Sequence, residues 1–268
     1  MTTLPGFYGE APVSIAPFNP NWDEYMHYMY LPVRIPDSDP GYRGVFGPHI
    51  YGDGRRTHVY DETLERSLPP NLGFLRETIL RLMNDAATTA EHLSDPYVYV
   101  TARRGYATPG NPLNRPGYHA DDFGGDDLNY IWTDAFPTRF LLADEPIDIP
   151  ADDTQSMDVM EAYAYGAKNP NDFAWDRPKG LRVEDGPVGE ILRLSPYVIH
   201  STPEVTESGP RSFFKISVSN HRYDLIGNAH NYLLDYDWPM YDRQALRNQP
   251  GAFQNKDYSG ITSKAVTR

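Results

Sequence analysis

Two histidines and an aspartate give this sequence its chemistry: His119 and Asp121, separated by Ala120, and His200 roughly eighty positions later. Two imidazoles and one carboxylate can occupy one triangular face of a divalent metal and leave the opposite face open to other ligands. Within an extended segment, side chains at i and i+2 project to the same side, so His119 and Asp121 can share one locus while Ala120 points away. His200 closes the apolar run Tyr197-Val198-Ile199 between Pro196 and Pro203, and a facing strand could carry it opposite the first pair.

An isolated His-x-Asp is a common chance pair, and this chain holds eight histidines. The residues downstream change its weight. Arg211 falls eleven positions after His200, at the head of a stretch whose alternate residues Phe214, Ile216 and Val218 are apolar. That alternation puts Arg211 on the other face, with Phe213, Lys215 and Ser217. A guanidinium projecting from a strand beside a metal is suited to grip a carboxylate through two parallel hydrogen bonds.

The set His119-x-Asp121, His200 and Arg211 resembles the Fe(II)/2-oxoglutarate-dependent dioxygenases, phytanoyl-CoA-hydroxylase-like or related. Their pattern is His-x-Asp, a gap of several tens of residues, His, and Arg about ten residues on. The string Gly209-Pro210-Arg211-Ser212-Phe213-Phe214-Lys215 is similar to the superfamily's late core strand. The likeness spans roughly residues 97–219. It implies a double-stranded β-helix, a cupin-like form of jelly roll.

Carried onto this chain, the resemblance makes His119, Asp121 and His200 the Fe(II) ligands and makes Arg211 the partner of the distal carboxylate of 2-oxoglutarate. With O2, such enzymes convert the co-substrate to succinate and CO2 and oxidise a second substrate. Halogenating relatives carry a small residue in place of the carboxylate ligand, so Asp121 implies hydroxylation or desaturation. Many relatives carry Ser or Thr two positions after the arginine, where this chain has Phe213; Thr138 or Tyr130 is then the candidate second contact to the distal carboxylate. Asn129 is a further candidate for holding the co-substrate. Arg103, Arg104, Tyr118 and Trp132 are candidate substrate contacts, the two arginines lying with Arg115 in a Gly- and Pro-rich loop, 101–117, placed to act as a lid.

The elements that must position these residues follow from periodicity. Leu72, Leu75, Ile79, Leu82, Ala86, Ala90 and Leu93 recur at three- and four-residue steps after Pro69-Pro70-Asn71, which predicts a helix over 72–93 of about six turns. The period then shortens: 97–101, 128–133, 138–142, 190–194, 197–200 and 211–219 read as short strands between Gly, Pro, Asn and Asp, with a helix over 157–167 inserted among them. In 128–133, Asn129, Ile131 and Thr133 share one face and Tyr130 and Trp132 the other, and either face could meet the metal. Residues 1–70, dense in Pro, Gly and Tyr, read as an irregular N-terminal layer with an extended piece at 28–35. Residues 228–268 read as a polar C-terminal extension whose last ten or so residues fray. No repeat or linker divides the chain, so the expectation is one domain over 1–268, mainly β with flanking helices and a metal-binding core over 97–219.

Composition removes other chemistries. The absence of cysteine excludes disulfides, thiolate nucleophiles, iron-sulfur clusters and thiolate zinc sites. A net charge of -13 repels phosphate backbones and argues against long nucleic acids as partners, leaving a small-molecule substrate as the expectation. No run approaches the length needed to cross a bilayer and residues 1–10 carry no leader pattern, so a soluble cytoplasmic protein is expected. The acidic turn with Asp122, Asp126 and Asp127 lacks the alternating ligands and closing Glu of a helical calcium loop and reads as a hairpin connection. His221 and His230 read as surface or core polar residues. Two other readings fit a jelly roll: a cupin-type metalloenzyme independent of 2-oxoglutarate, disfavoured by the lack of a His-x-His pair, and a non-catalytic binding protein, which leaves the ordered coincidence of four residue types unexplained.

Overall fold

A computed structural model describes residues 8–43, 56–172 and 178–242, and for 56–61 and 153–154 the backbone alone. Nine strands and three α-helices account for most of it: β1 (Val13–Pro17), β2 (Met26–Arg34), α1 (Arg56–Ser67), α2 (Arg76–Thr89), β3 (Tyr97–Ala107), β4 (Leu128–Thr133), β5 (Arg139–Leu142), α3 (Asp153–Lys168), β6 (Arg182–Asp185), β7 (Glu190–Leu194), β8 (Ile199–Ser201) and β9 (Gly209–Ser219). Six strands form a large sheet in the order β1-β7-β4-β9-β3-β2, and three form a small one in the order β6-β5-β8. Every neighbouring pair is antiparallel. The mainly β class expected from periodicity is what forms, as two sheets rather than a closed barrel. Among the described residues no helix is long and apolar enough to cross a membrane.

Alternation along the central strands sorts side chains into layers. Phe214, Ile216 and Val218 of β9, Val98, Val100 and Ala102 of β3, and Tyr130 and Trp132 of β4 join one buried cluster with Ile79, Leu82, Met83 and Ala86 of α2. Those helical residues recur at three- and four-residue steps and so form one apolar stripe that covers the outer face of the large sheet. On the opposite face, Ile131 and Phe213 of the large sheet meet Phe140 and Leu142 of β5 between the two sheets. A third cluster lies outside the small sheet, where Leu141 and Ile199 pack with Met160 and Ala164 of α3. The order is helix, large sheet, small sheet, helix.

Several boundaries differ from the expectations. The helix expected over 72–93 is a 3-10 segment (Pro70–Leu75), then α2, then a 3-10 turn (Glu91–Leu93). Pro69, not Asn71, precedes the first piece, and no side chain caps it. Thr88 turns its hydroxyl back onto the carbonyls of Asn84 and Asp85, and Ala90 is extended, so the α-helix ends there. The second expected helix is present as α3, with the Asp152 side chain accepting from the Gln155 amide at 2.9 Å.

The N-terminal layer is not irregular where it is described. β1 pairs with β7 and β2 with β3, so both edges of the large sheet come from it, and α1 follows. Strand β3 runs to Ala107 because β9 pairs with it along its whole length, so Arg103 and Arg104 lie on a strand, not in a lid loop. The C-terminal extension is described only to residue 242, and its expected fraying falls outside the described residues.

Candidate metal centre

His119 and His200 are brought together by the backbone. Each amide donates to the other's carbonyl, at 2.9 and 2.8 Å, as a single antiparallel bridge that extends the small sheet beyond β8. Residues paired in this way stand side by side on one face of the ladder. The two rings accordingly lie 4.5 Å apart between centroids. The expected strand carrying His119 and Asp121 is no more than this bridge, and Asp121 opens a turn in which Asp122 has φ 52°. The i, i+2 relation survives: Tyr118 and Ala120 enter the cluster against α3, whereas His119 and Asp121 face inward.

Asp121 Oδ1 lies 3.9 Å from His119 Nε2, and Asp121 Oδ2 lies 3.5 Å from His200 Nε2. One ligand atom from each of the three residues falls within 4.8 Å of the others, so the group could hold a metal ion. The hydrogen bonding suits that use. The Nδ1 atoms contact the carbonyls of Gly117 at 3.0 Å and of Val198 at 3.2 Å, each two residues back in the chain. A carbonyl can only accept, so Nδ1 carries the proton and Nε2 turns its lone pair toward Asp121, the tautomer a metal-binding imidazole needs. Burial, together with the neighbouring His200, pushes the His119 imidazole down to about 4, which keeps it neutral.

Asp121 is fixed from the large sheet. Lys215 Nζ donates to Asp121 Oδ1 at 2.9 Å and to Tyr30 Oη at 3.1 Å. Burial alone would raise the Asp121 carboxyl, but the Lys215 ammonium outweighs it and holds it well below the carboxylate range. The same pairing overcomes the downward pull of burial on Lys215 and keeps its ammonium charged. Tyr30 reaches the site because β2 bulges between Tyr28 and Leu31, and Tyr30 itself sits in the left-handed region at φ 51°. Such a conformation in a bulky residue stores strain and is found where a side chain must be re-aimed.

A cavity of about 500 Å³ opens against this group, lined by His119, Asp121, His200, Lys215 and Arg211 and by Thr138, Ile131 and Phe213. Arg211 is only 1 % exposed. Its Nε donates to the carbonyls of Ala135 at 3.3 Å and Phe136 at 3.2 Å, and its Nη1 to the Pro112 carbonyl at 3.3 Å and Asn114 Oδ1 at 3.2 Å. No carboxylate pairs with it among the described residues, and its Nη2 takes no hydrogen-bond partner there. Burial pushes its guanidinium down to about 10, so it stays charged at neutral pH.

The other candidates divide by face. Thr138 lines the cavity, as does Arg103. Arg104, the next residue on β3, projects from the opposite face and pairs with Ser212 and Asp134. Trp132 belongs to the helix-side cluster and donates to the Phe18 carbonyl, and Tyr130 donates to Asp85 of α2, so neither meets the cavity. Tyr118 is buried toward α3. Asn129 shares the metal face but accepts from Ser217 and lines a small adjoining pocket, which includes Asp121 and Lys215, rather than the main cavity. Arg115 lines the cavity near the thioether of Met157. His27, Met29 and Tyr30 of β2 also line it and carried no sequence signal, because a bulge breaks the alternation that would have placed them.

The acidic turn supplies a second group that could hold a metal, Asp126, Asp127 and His221. Asp126 also lies 3.3 Å from His92 Nε2, and Asp127 accepts from the Tyr223 hydroxyl. Burial and the neighbouring Asp122 raise the Asp127 carboxyl well above its ordinary range. The turn is thus not a hairpin connection: it leads from the bridge at His119 into β4 of the large sheet, and it buries Asp127 while leaving Asp126 exposed beside His221. Compared with known proteins, the chain matches no family model and no curated protein.

Proposed function

We propose that the protein is an Fe(II)- and 2-oxoglutarate-dependent oxygenase of double-stranded β-helix type that hydroxylates a small molecule. One observation carries this reading: His119, Asp121, His200 and Arg211 line a single cavity between the two sheets. The overall reaction is 2-oxoglutarate plus O2 plus R–H giving succinate, CO2 and R–OH. Iron held by the two imidazoles and the carboxylate would supply the dioxygen chemistry that couples the two halves. The chain's own residues do the positioning. Lys215 holds Asp121 Oδ1 and leaves Oδ2 turned toward His200. The backbone carbonyls fix both rings. Arg211 presents Nη2 to a carboxylate, with Thr138 in the same wall and Phe213 stacked 5.2 Å from the guanidinium, shielding the contact from water.

The bonds from Arg211 to the 112–114 and 135–136 loops favour a second reading, in which the arginine is a structural tether and the protein a metalloenzyme independent of 2-oxoglutarate. Calorimetry on the Mn(II)-loaded protein separates the two. Under the first reading 2-oxoglutarate binds, Arg211→Ala weakens it by at least about tenfold with metal occupancy retained, and Fe(II) turnover yields succinate. Absence of 2-oxoglutarate binding to the wild type would sink it.

A further inference from the structure

The cavity has more positive charge than the co-substrate requires. Arg103, Arg115, Arg211 and Lys215 line it against Asp121 alone, in a chain whose net charge is -13. Lys215 is neutralised by Asp121 at 2.9 Å. Arg211, on the proposed reading, takes the distal carboxylate of 2-oxoglutarate. Arg103 and Arg115 are then left over, and Arg103 is the one on the sheet beside Arg211. It stands on β3 between Phe213 of β9 and His27 of β2, its register partners on either side. Gly105 faces Arg211, so the two arginines occupy diagonal positions flanking Phe213. Cross-strand diagonals of this kind are about 7–8 Å apart at the backbone, and long side chains on them still feel each other; Arg103 acts on Arg211 as a like charge, so the pair calls for more than one anionic group.

Arg103 makes no hydrogen bond and no ion pair with any described residue, although it is half-buried. A guanidinium cannot escape the cost of burial by losing its proton, so one kept half-buried with no counter-ion among the described residues is suited to an anion that arrives from outside. His27 beside it is exposed, and partial desolvation together with Arg103 lowers its imidazole from the ordinary value, so it adds a polar edge to the site.

We propose that the oxidised substrate is itself an anion, whose carboxylate or phosphate is held by Arg103 at a position separate from the co-substrate contact at Arg211. The proposal rests on the 2-oxoglutarate reading, and one experiment tells their failures apart. The full chain, loaded with Mn(II) and saturated with 2-oxoglutarate, is titrated with inorganic phosphate and, separately, with acetate. Wild type is expected to bind at least one of them, phosphate binding alone indicating a phosphorylated substrate and acetate binding a carboxylic one. Arg103→Gln should weaken that binding by at least about tenfold, the loss of a charged hydrogen-bonding partner, while 2-oxoglutarate affinity changes by less than about threefold. Arg103→Lys, which keeps the charge but not the planar fork, should recover part of the binding and guards against a folding defect.

Failure of both anions to bind the wild type overturns the proposal, as does unchanged binding in Arg103→Gln. A parallel tenfold loss of 2-oxoglutarate affinity overturns it as well, by assigning Arg103 to the co-substrate. Should 2-oxoglutarate not bind the wild type, the oxygenase reading fails, and with it the substrate role; the same anion titrations on the Mn(II) protein then report only whether Arg103 holds an anion.

Discussion

Lys215 and Asp121 form a buried ion pair, with side chains 9 % and 13 % exposed, at the point where the proposed metal would sit. Removing one member of such a pair strands the other charge away from water at a cost of about 3–5 kcal/mol. Lys215→Met should therefore destabilise the metal-free protein by about that amount. A divalent ion bound to Asp121 replaces the missing positive charge, so saturating Mn(II) should shrink the deficit to a fraction of its metal-free value. Denaturant midpoints measured with and without Mn(II) check this, and an equal deficit in both would mean that Asp121 is not a ligand. Lys215 is also instructive about legibility. Alternation along 211–219 put it on the same face as Arg211, but nothing in spacing reveals that its ammonium ends on Asp121 and Tyr30, because those contacts depend on the separation of the two sheets and on the bulge in β2.

Between elements, a buried polar link outside the site joins the segment after β2 to the segment after β9. Asp39, whose side chain is fully buried, accepts from Arg222 Nε at 2.6 Å and Nη2 at 2.5 Å, from the Tyr97 hydroxyl at 2.6 Å and from the Gly41 amide at 2.7 Å. Burial pushes its carboxyl up, and these donors together outweigh that and leave it below its ordinary value. The folded carboxyl is thus more acidic than the unfolded one, near 3.9, so the link stabilises fully above that pH and is lost as the pH falls through the folded value. Arg222→Met should cost about 3 kcal/mol at neutral pH and move the acid-unfolding midpoint upward; Asp39→Asn should remove this group's share of the pH dependence. Acid titrations followed by circular dichroism test both. Elements with clean periodicity, α2 and strands β4, β7 and β9, were legible in the sequence because one apolar face is enough to define them. Strand β3 reads as ending at Thr101 because Arg103 and Arg104 look like loop residues in isolation, whereas pairing with β9 carries it to Ala107. Strand β1 is hidden by proline density, whereas most of β2 is legible as the extended piece at 28–35, although its bulge breaks the alternation that would place its side chains.

At the scale of the whole molecule, the candidate centre lies on the seam between the two layers. The turn before β4 supplies Asp121, the bridge to the small sheet supplies His119 and His200, and β9 of the large sheet supplies Lys215 and Arg211. Four residues could be picked out by type and order, yet the seam could not, since no local pattern encodes how two sheets stack. A ligand bound on such a seam fastens both layers and is linked to folding. Mn(II) at about one hundred times its dissociation constant should add about 2.7 kcal/mol to stability. A domain of this size gains roughly 2–4 °C in Tm per kcal/mol, so the rise should be roughly 5–10 °C. Hydrogen exchange should slow at His119, at His200 and along β9, elements from both layers, rather than in the small sheet alone. His200→Ala should abolish both effects while leaving α2 and its cluster protected, because that core lies on the far face of the large sheet. A Tm rise that persists in His200→Ala would place the metal elsewhere, with the Asp126, Asp127 and His221 group as the site to examine next.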